Sequence, residues 1–215
     1  MAWCTPPMLP KAWVDQAVDG GLVVARLPIA AVPNMTVVAK TRGSGGEPVV
    51  EEVFTIEATS SPKTDLGLPG RWVDWENRVP NPSWISVAWR GEDDHLYTDA
   101  RTALERLLKD ARTEPYAGAE IGLPSWRTFA ATRGDHRLTM AGLSPDLWAI
   151  GHTTSTTAVV IKQAGTILAD APDSPSPTVL RDWLGQWEEA GRPAPATYAP
   201  ALVCTGDGWD LRLSR

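Results

Sequence analysis

The first pattern along the chain is a short helix that stops at two glycines. In Pro10-Lys-Ala-Trp-Val-Asp-Gln-Ala-Val-Asp19-Gly-Gly21, Pro10 suits a first helical turn and Gly20-Gly21 suits a C-terminal stop. The apolar run Leu22–Leu27 follows at once and reads as a buried strand, so helix, turn and strand make half of an α/β unit. Met35–Lys40 and Pro48–Phe54 read as a β-hairpin around the Gly-rich loop Thr41–Glu47. That loop lies between two strands. A phosphate cradle needs its glycines between a strand and a helix, so the loop is a hairpin turn. Thr55–Pro82 has no clear period, and its Ser-Pro, Gly and Asn-Pro steps mark a linker, with a domain boundary near Lys63–Arg71.

The second half is patterned differently. Ser83–Trp89 alternates like a strand. Tyr97, Ala100, Leu104, Leu107, Leu108 and Ala111 then recur at helical spacing, with Glu105 and Lys109 as an i,i+4 pair. Leu138–Ala141, Trp148–Ile150, Thr157–Lys162 and Thr166–Ala169 read as short antiparallel strands, the last two joined by a tight turn at Gln163–Gly165. Ser176 as N-cap and Pro177 as first residue open a helix whose buried stripe is Val179, Leu180, Trp183, Leu184 and Trp187, and Gly191 and Pro193 stop it. Tyr198–Cys204 and Trp209–Leu213 close the chain as a hairpin.

Composition narrows the function classes. At 215 residues the chain is one large domain or two small ones. With 26 acidic against 20 basic residues its formal charge is −6, which disfavours generic nucleic-acid binding. Cys4 and Cys204 make neither a disulfide framework nor a four-cysteine zinc site. No run approaches ~18 apolar residues, and the proline-rich start is no signal peptide, so a soluble cytoplasmic protein is expected. Tryptophan is over-used, with 11 Trp against 2 Phe and 3 Tyr. The plain reading is ordinary core, and the functional one is an aromatic-lined groove for a peptide or flat ligand.

Candidate chemistry is sparse. His95, His136 and His152 have no second ligand at metal spacing, so no metal site is expected. His152 precedes Thr153-Thr-Ser-Thr-Thr157, which is either a solvated turn or a hydroxyl-rich pocket. Ser155 lacks the Gly-x-Ser-x-Gly context of a hydrolase nucleophile. Asp93-Asp94 and Glu188-Glu189 read as solvated surface.

Leu9-Pro10-Lys-Ala-Trp-Val-Asp-Gln16 followed by Gly20-Gly21-Leu-Val-Val24 resembles the late sheet region of the protein-L-isoaspartate O-methyltransferase family. The strings Trp126–Ala131, Leu138–Gly142 and Gly165–Asp170, with the Trp183–Pro193 helix, resemble the long C-terminal extension of actinobacterial members. The resemblance implies methyl transfer from S-adenosylmethionine to a side-chain carboxylate of a protein or peptide. The neighbouring backbone nitrogen then attacks the methyl ester to give a succinimide, the chemistry of isoaspartate protein repair. The family's glycine-rich cofactor turn, its acidic ribose ligand and its catalytic loop have no counterpart here, so neither a cofactor nor a catalytic residue transfers to this sequence. Met1 falls where the fifth strand of such a sheet would begin, so the chain reads as a truncated, C-terminal part, inactive by itself.

The expected architecture is therefore an α/β remnant, the end of a Rossmann-like methyltransferase sheet, over residues 1–56. A linker at 57–82 and an α+β two-layer domain with mostly antiparallel strands over 83–215 follow. In this scheme the extension holds the protein or peptide substrate, with Trp72, Trp75, Trp126, Arg127 and Trp148 as substrate-binding candidates, beside Arg71. No nucleic acid or membrane partner is expected, and the open edge in residues 1–54 is a route to self-association. The alternative function is a non-catalytic peptide-binding module.

Overall fold

The computed structural model describes residues 6, 8–29, 32–40, 48–55, 73–77, 83–87, 96–109, 111–116, 120–144, 147–171, 174–206 and 208–215. In chain order the elements are β1 (Leu9–Pro10), α1 (Lys11–Asp15), β2 (Leu22–Ile29), β3 (Val32–Lys40), β4 (Val49–Thr55), β5 (Val73–Asn77), β6 (Ser83–Val87), α2 (Leu96–Lys109), β7 (Arg112–Pro115), α3 (Leu123–Thr132), β8 (Leu138–Ser144), β9 (Leu147–Thr153), β10 (Ala158–Lys162), β11 (Thr166–Ala169), α4 (Pro175–Glu189), β12 (Ala199–Thr205) and β13 (Gly208–Ser214). They form two compact units. Met1–Ile29, Pro33–Pro69 and Ala196–Arg215 make the first, and Ala30–Val32 with Gly70–Pro195 make the second.

The first unit holds two three-stranded sheets, β2-β3-β4 and β1-β13-β12. Pro10 is the N-cap residue of α1, and Gly20, at φ +72°, turns the chain into β2 as the glycine pair predicts. β3 and β4 pair antiparallel, as the expected hairpin does; its Gly-rich loop, 41–47, lies outside the described residues. Along β2, Ala25, Leu27 and Ile29 are buried on one face, while Leu22 and Val24 on the other are exposed. The closing hairpin β12–β13 belongs to this unit rather than to the extension domain expected over 83–215. β13 pairs with β1 through Leu9↔Trp209 and Pro10↔Gly208. Any Cβ on Gly208 would run into the Leu9 carbonyl, so glycine is what lets these backbones close.

The second unit is built on one antiparallel sheet of seven strands, in the order β5-β6-β8-β9-β10-β11-β7. β5 falls within the stretch expected to be linker. Its five residues, Val73-Asp-Trp-Glu-Asn77, alternate apolar and polar over a stretch too short to stand out among the surrounding turn residues, and they pair with β6 at the sheet edge. Strand alternation splits the core in two. Ile85, Val87, Ala141, Ala149, Ala158, Val160 and Leu168 face α2 and pack on its stripe Ala100, Ala103, Leu104 and Leu107. The alternate residues of β10, Val159 and Ile161, are also fully buried, on the face that α4 covers with Leu180, Trp183, Leu184 and Trp187. The result is an α+β fold with antiparallel strands. Each sheet face makes a helix-on-sheet core of its own.

Two local readings shift. On α2, Glu105 accepts a hydrogen bond from Arg101 Nε at 2.9 Å, one turn before the expected partner Lys109. On α4 the N-cap is Ser174 rather than Ser176, with Pro175 opening the helix; Ser174 Oγ accepts from the Ser176 backbone N–H at 3.3 Å. In Ser174-Pro-Ser-Pro177 both frames satisfy the capping rule, and the Ser176 side chain is drawn inward instead. Ser174→Ala should therefore lower the stability of the second unit by about 1 kcal/mol, read as a shift in the denaturant midpoint. An unchanged midpoint would mean the cap contributes nothing.

Candidate functional site

The chemistry-bearing side chains of the second unit gather on the sheet face covered by α4, against which α3 packs. At the end of β9, His152 is buried with its ring edge-on to Trp183, centroids 5.5 Å apart. Its Nδ1 lies 2.8 Å from Ser176 Oγ, which lies 2.5 Å from Thr157 Oγ1, which lies 2.9 Å from Thr154 Oγ1. Thr154 Oγ1 also accepts from the backbone N–H groups of Thr156 and Thr157, so the turn after β9 is built around its own hydroxyl. The threonine-rich run is thus both a turn and a polar pocket, and the sequence does not announce its partner Ser176, 24 residues away from His152.

Burial pushes the His152 imidazole down to about 4, with the nearby Arg137 cation acting in the same direction and Asp135 opposing it. Asp135 spends its carboxylate on Arg137, accepting from Nε at 2.9 Å and from a terminal nitrogen at 2.8 Å. His152 is therefore neutral at pH 7, and its Nε2 has no hydrogen-bond partner among the described residues. A Ser–His contact at 2.8 Å has the distance of a nucleophile and its base. Ser176 and His152 are both sealed from solvent, however, and the serine hydroxyl already bonds Thr157. The arrangement clamps the N-terminus of α4 to β9 and the turn that follows it, and offers no path to a substrate carbonyl.

The substrate-binding candidates separate. Trp126 is fully buried and is not a ligand wall. It stacks on Phe129 with centroids 6.2 Å apart and meets Trp187 edge-on at 5.7 Å. The segment leading to it, with its Gly122 and Pro124, looks like a loop in the sequence but is the start of α3. The neighbouring Ser125 hydroxyl accepts from Trp187 Nε1 at 2.9 Å and donates to the Pro193 carbonyl at 2.8 Å, tying α3 to α4 and the turn beyond it. Arg127 is half-buried. Trp148 is half-buried at the sheet's far end and sits edge-on to Trp84, centroids 5.5 Å apart. Trp72 and Arg71 lie outside the described residues, and of Trp75 only the backbone, in β5, is described. Among the described residues no group of three His, Cys, Asp or Glu could hold a metal.

Sequence reasoning missed Trp84, because the Trp84–Trp148 pair is assembled across three strands. Trp84 pairs with Gly142 and Gly142 with Trp148, so the glycine leaves room for the Trp84 indole to lie over it. A Cβ at position 142 would overlap the Trp84 Nε1. Gly142→Ala should displace the ring at a cost of about 1–3 kcal/mol and change the near-UV circular dichroism of the pair. A spectrum and midpoint like those of the wild type would show that Trp84 is not held there.

No protein-family model, curated protein or solved structure matches this chain.

Proposed function

We propose that this chain is the C-terminal part of a protein-L-isoaspartate O-methyltransferase-like protein, inactive in isolation. It would carry the end of the Rossmann-like sheet and an extension that positions a protein or peptide substrate for carboxyl methylation by S-adenosylmethionine. One observation carries the reading. The helix, Gly-Gly turn and strand that hold the family resemblance end in β2, an edge strand of its sheet with Leu22 at 63% and Val24 at 50% exposure. An apolar edge of this kind suits a strand that continues a larger sheet.

The test has two arms. Calorimetric titration of S-adenosylmethionine into the isolated chain should give no saturable heat, because the glycine turn and ribose carboxylate are absent. Joined in frame to a glycine-rich cofactor-binding half of this family, the chain should support transfer of labelled methyl to an isoaspartyl peptide beyond that half alone. One-to-one cofactor binding by the chain itself, or no gain on joining, would sink the proposal.

A second reading, a peptide-binding module without catalysis, draws on the half-buried Trp84–Trp148 pair, whose indole edges form an aromatic ledge on the sheet. Peptide binding that is unchanged by the joined half would favour it.

A further inference from the structure

Five of the described arginines meet a carboxylate. Arg101, Arg181 and Arg212 are exposed, yet each meets an acid, Glu105 at 2.9 Å, Glu114 at 2.7 Å and Asp210 at 3.7 Å. Arg137 and Arg192 are likewise paired, with Asp135 and Glu188. Arg133 lies over the Phe129 ring. Arg127, in the middle of α3, is different. Its Nε is sealed from solvent and donates to nothing, and no carboxylate among the described residues meets its guanidinium. Around it α3 is buried on nearly every side, through Trp126, Thr128, Phe129, Ala130 and Ala131. Burial alone depresses its proton affinity, and no neighbouring acid raises it back. The guanidinium is half-buried, its Nε–H is desolvated, and the fold offers that N–H no acceptor among the described residues.

We infer that Arg127 is the anchor of a carboxylate-binding subsite, completed by a ligand's carboxylate in place of the acid that the fold withholds. A guanidinium presents parallel N–H donors that match a carboxylate in a two-pronged contact. One cation, with no second charged group acting on it among the described residues, neutralises a monoanion one for one. A phosphate dianion would leave excess negative charge on a chain already at −6. The inference stands apart from the methyltransferase reading, since it needs only a peptide or small-molecule carboxylate and no cofactor.

The probe is acetate, titrated into the full chain at constant ionic strength against chloride, with the Arg127 Nε–H signal followed by ¹⁵N NMR. The expected result is a saturating shift in the millimolar range, abolished in Arg127→Met, while the exposed Arg181 Nε–H shows at most a linear drift. Arg127→Met should also unfold at a denaturant concentration no lower than the wild type when acetate is absent, because an unsatisfied, sealed Nε–H is removed while the stem's packing is kept. A linear Arg127 response like that of Arg181 would overturn the inference. So would saturation by inorganic phosphate but not by acetate. A loss of stability in Arg127→Met with no acetate response in the wild type would assign the residue to the core instead.

Discussion

Trp126→Ala should destabilise the Gly70–Pro195 unit by about 3–5 kcal/mol, the range for truncating a large buried aromatic. The indole is fully buried between Phe129 and Trp187, so its removal leaves a cavity at the junction of α3 and α4. Ser125, which holds both the Trp187 indole and the Pro193 carbonyl, then loses the packing that positions it. Trp183→Ala should cost a similar amount, since Trp183 is buried against His152. With two units in the chain, the readout is the loss of amide-exchange protection in Val179–Trp187 rather than a single global midpoint. A cost for Trp126→Ala below about 1 kcal/mol would put that side chain at the surface and restore it as a ligand wall.

The second large effect is acid sensitivity centred on His152. In the unfolded chain the imidazole titrates near 6.5, and in the folded protein near 4. Between those values the unfolded state binds the extra proton, so stability rises with pH across that window. The contribution is fully present above about pH 6.5 and is lost as the pH falls to about 4. It amounts to about 3 kcal/mol for a shift of this size. The cause is visible in the hydrogen bonds. A protonated ring must donate from both nitrogens, and while Nδ1 can donate to Ser176, Nε2 has no acceptor among the described residues. His152→Gln keeps one polar contact within reach of Ser176 and cannot titrate, so its stability should slope less steeply between pH 4 and 6.5 than the wild type's, with the paired carboxylates such as Asp135 supplying what slope remains. Parallel slopes for the two proteins would remove His152 as the cause.

Much of the fold is legible in the amino-acid order because the signals are local. The α2 and α4 stripes are read from 3.6-residue spacing, and the strands β8 to β11 from short apolar runs between turn residues. Gly165 and Gly191 sit at φ +73° and +78°, where the sequence places a turn and a helix stop. α3 escapes the same procedure for a physical reason. It is buried on almost all sides, so it has no polar face to create a period. Its Thr128 and Thr132 look like loop residues until their hydroxyls are seen bonding the Pro124 and Phe129 carbonyls. β7, Arg-Thr-Glu-Pro, is a strand only because β11 pairs with it at the sheet edge.

By itself, then, the sequence determined the antiparallel α+β character of the larger unit, the two amphipathic helices and the turn between β10 and β11. Each of these depends on residues within one or two turns of one another. Tertiary structure alone decided which distant side chains meet: His152 with Ser176, Trp84 over Gly142 beside Trp148, and the closing hairpin β12–β13 with Leu9 and Pro10. It also decided that Trp126 is core and that Arg127, its neighbour in sequence, is left without a counter-charge among the described residues. Burial and pairing are properties of surfaces brought together from far apart in the chain, and no local pattern encodes them.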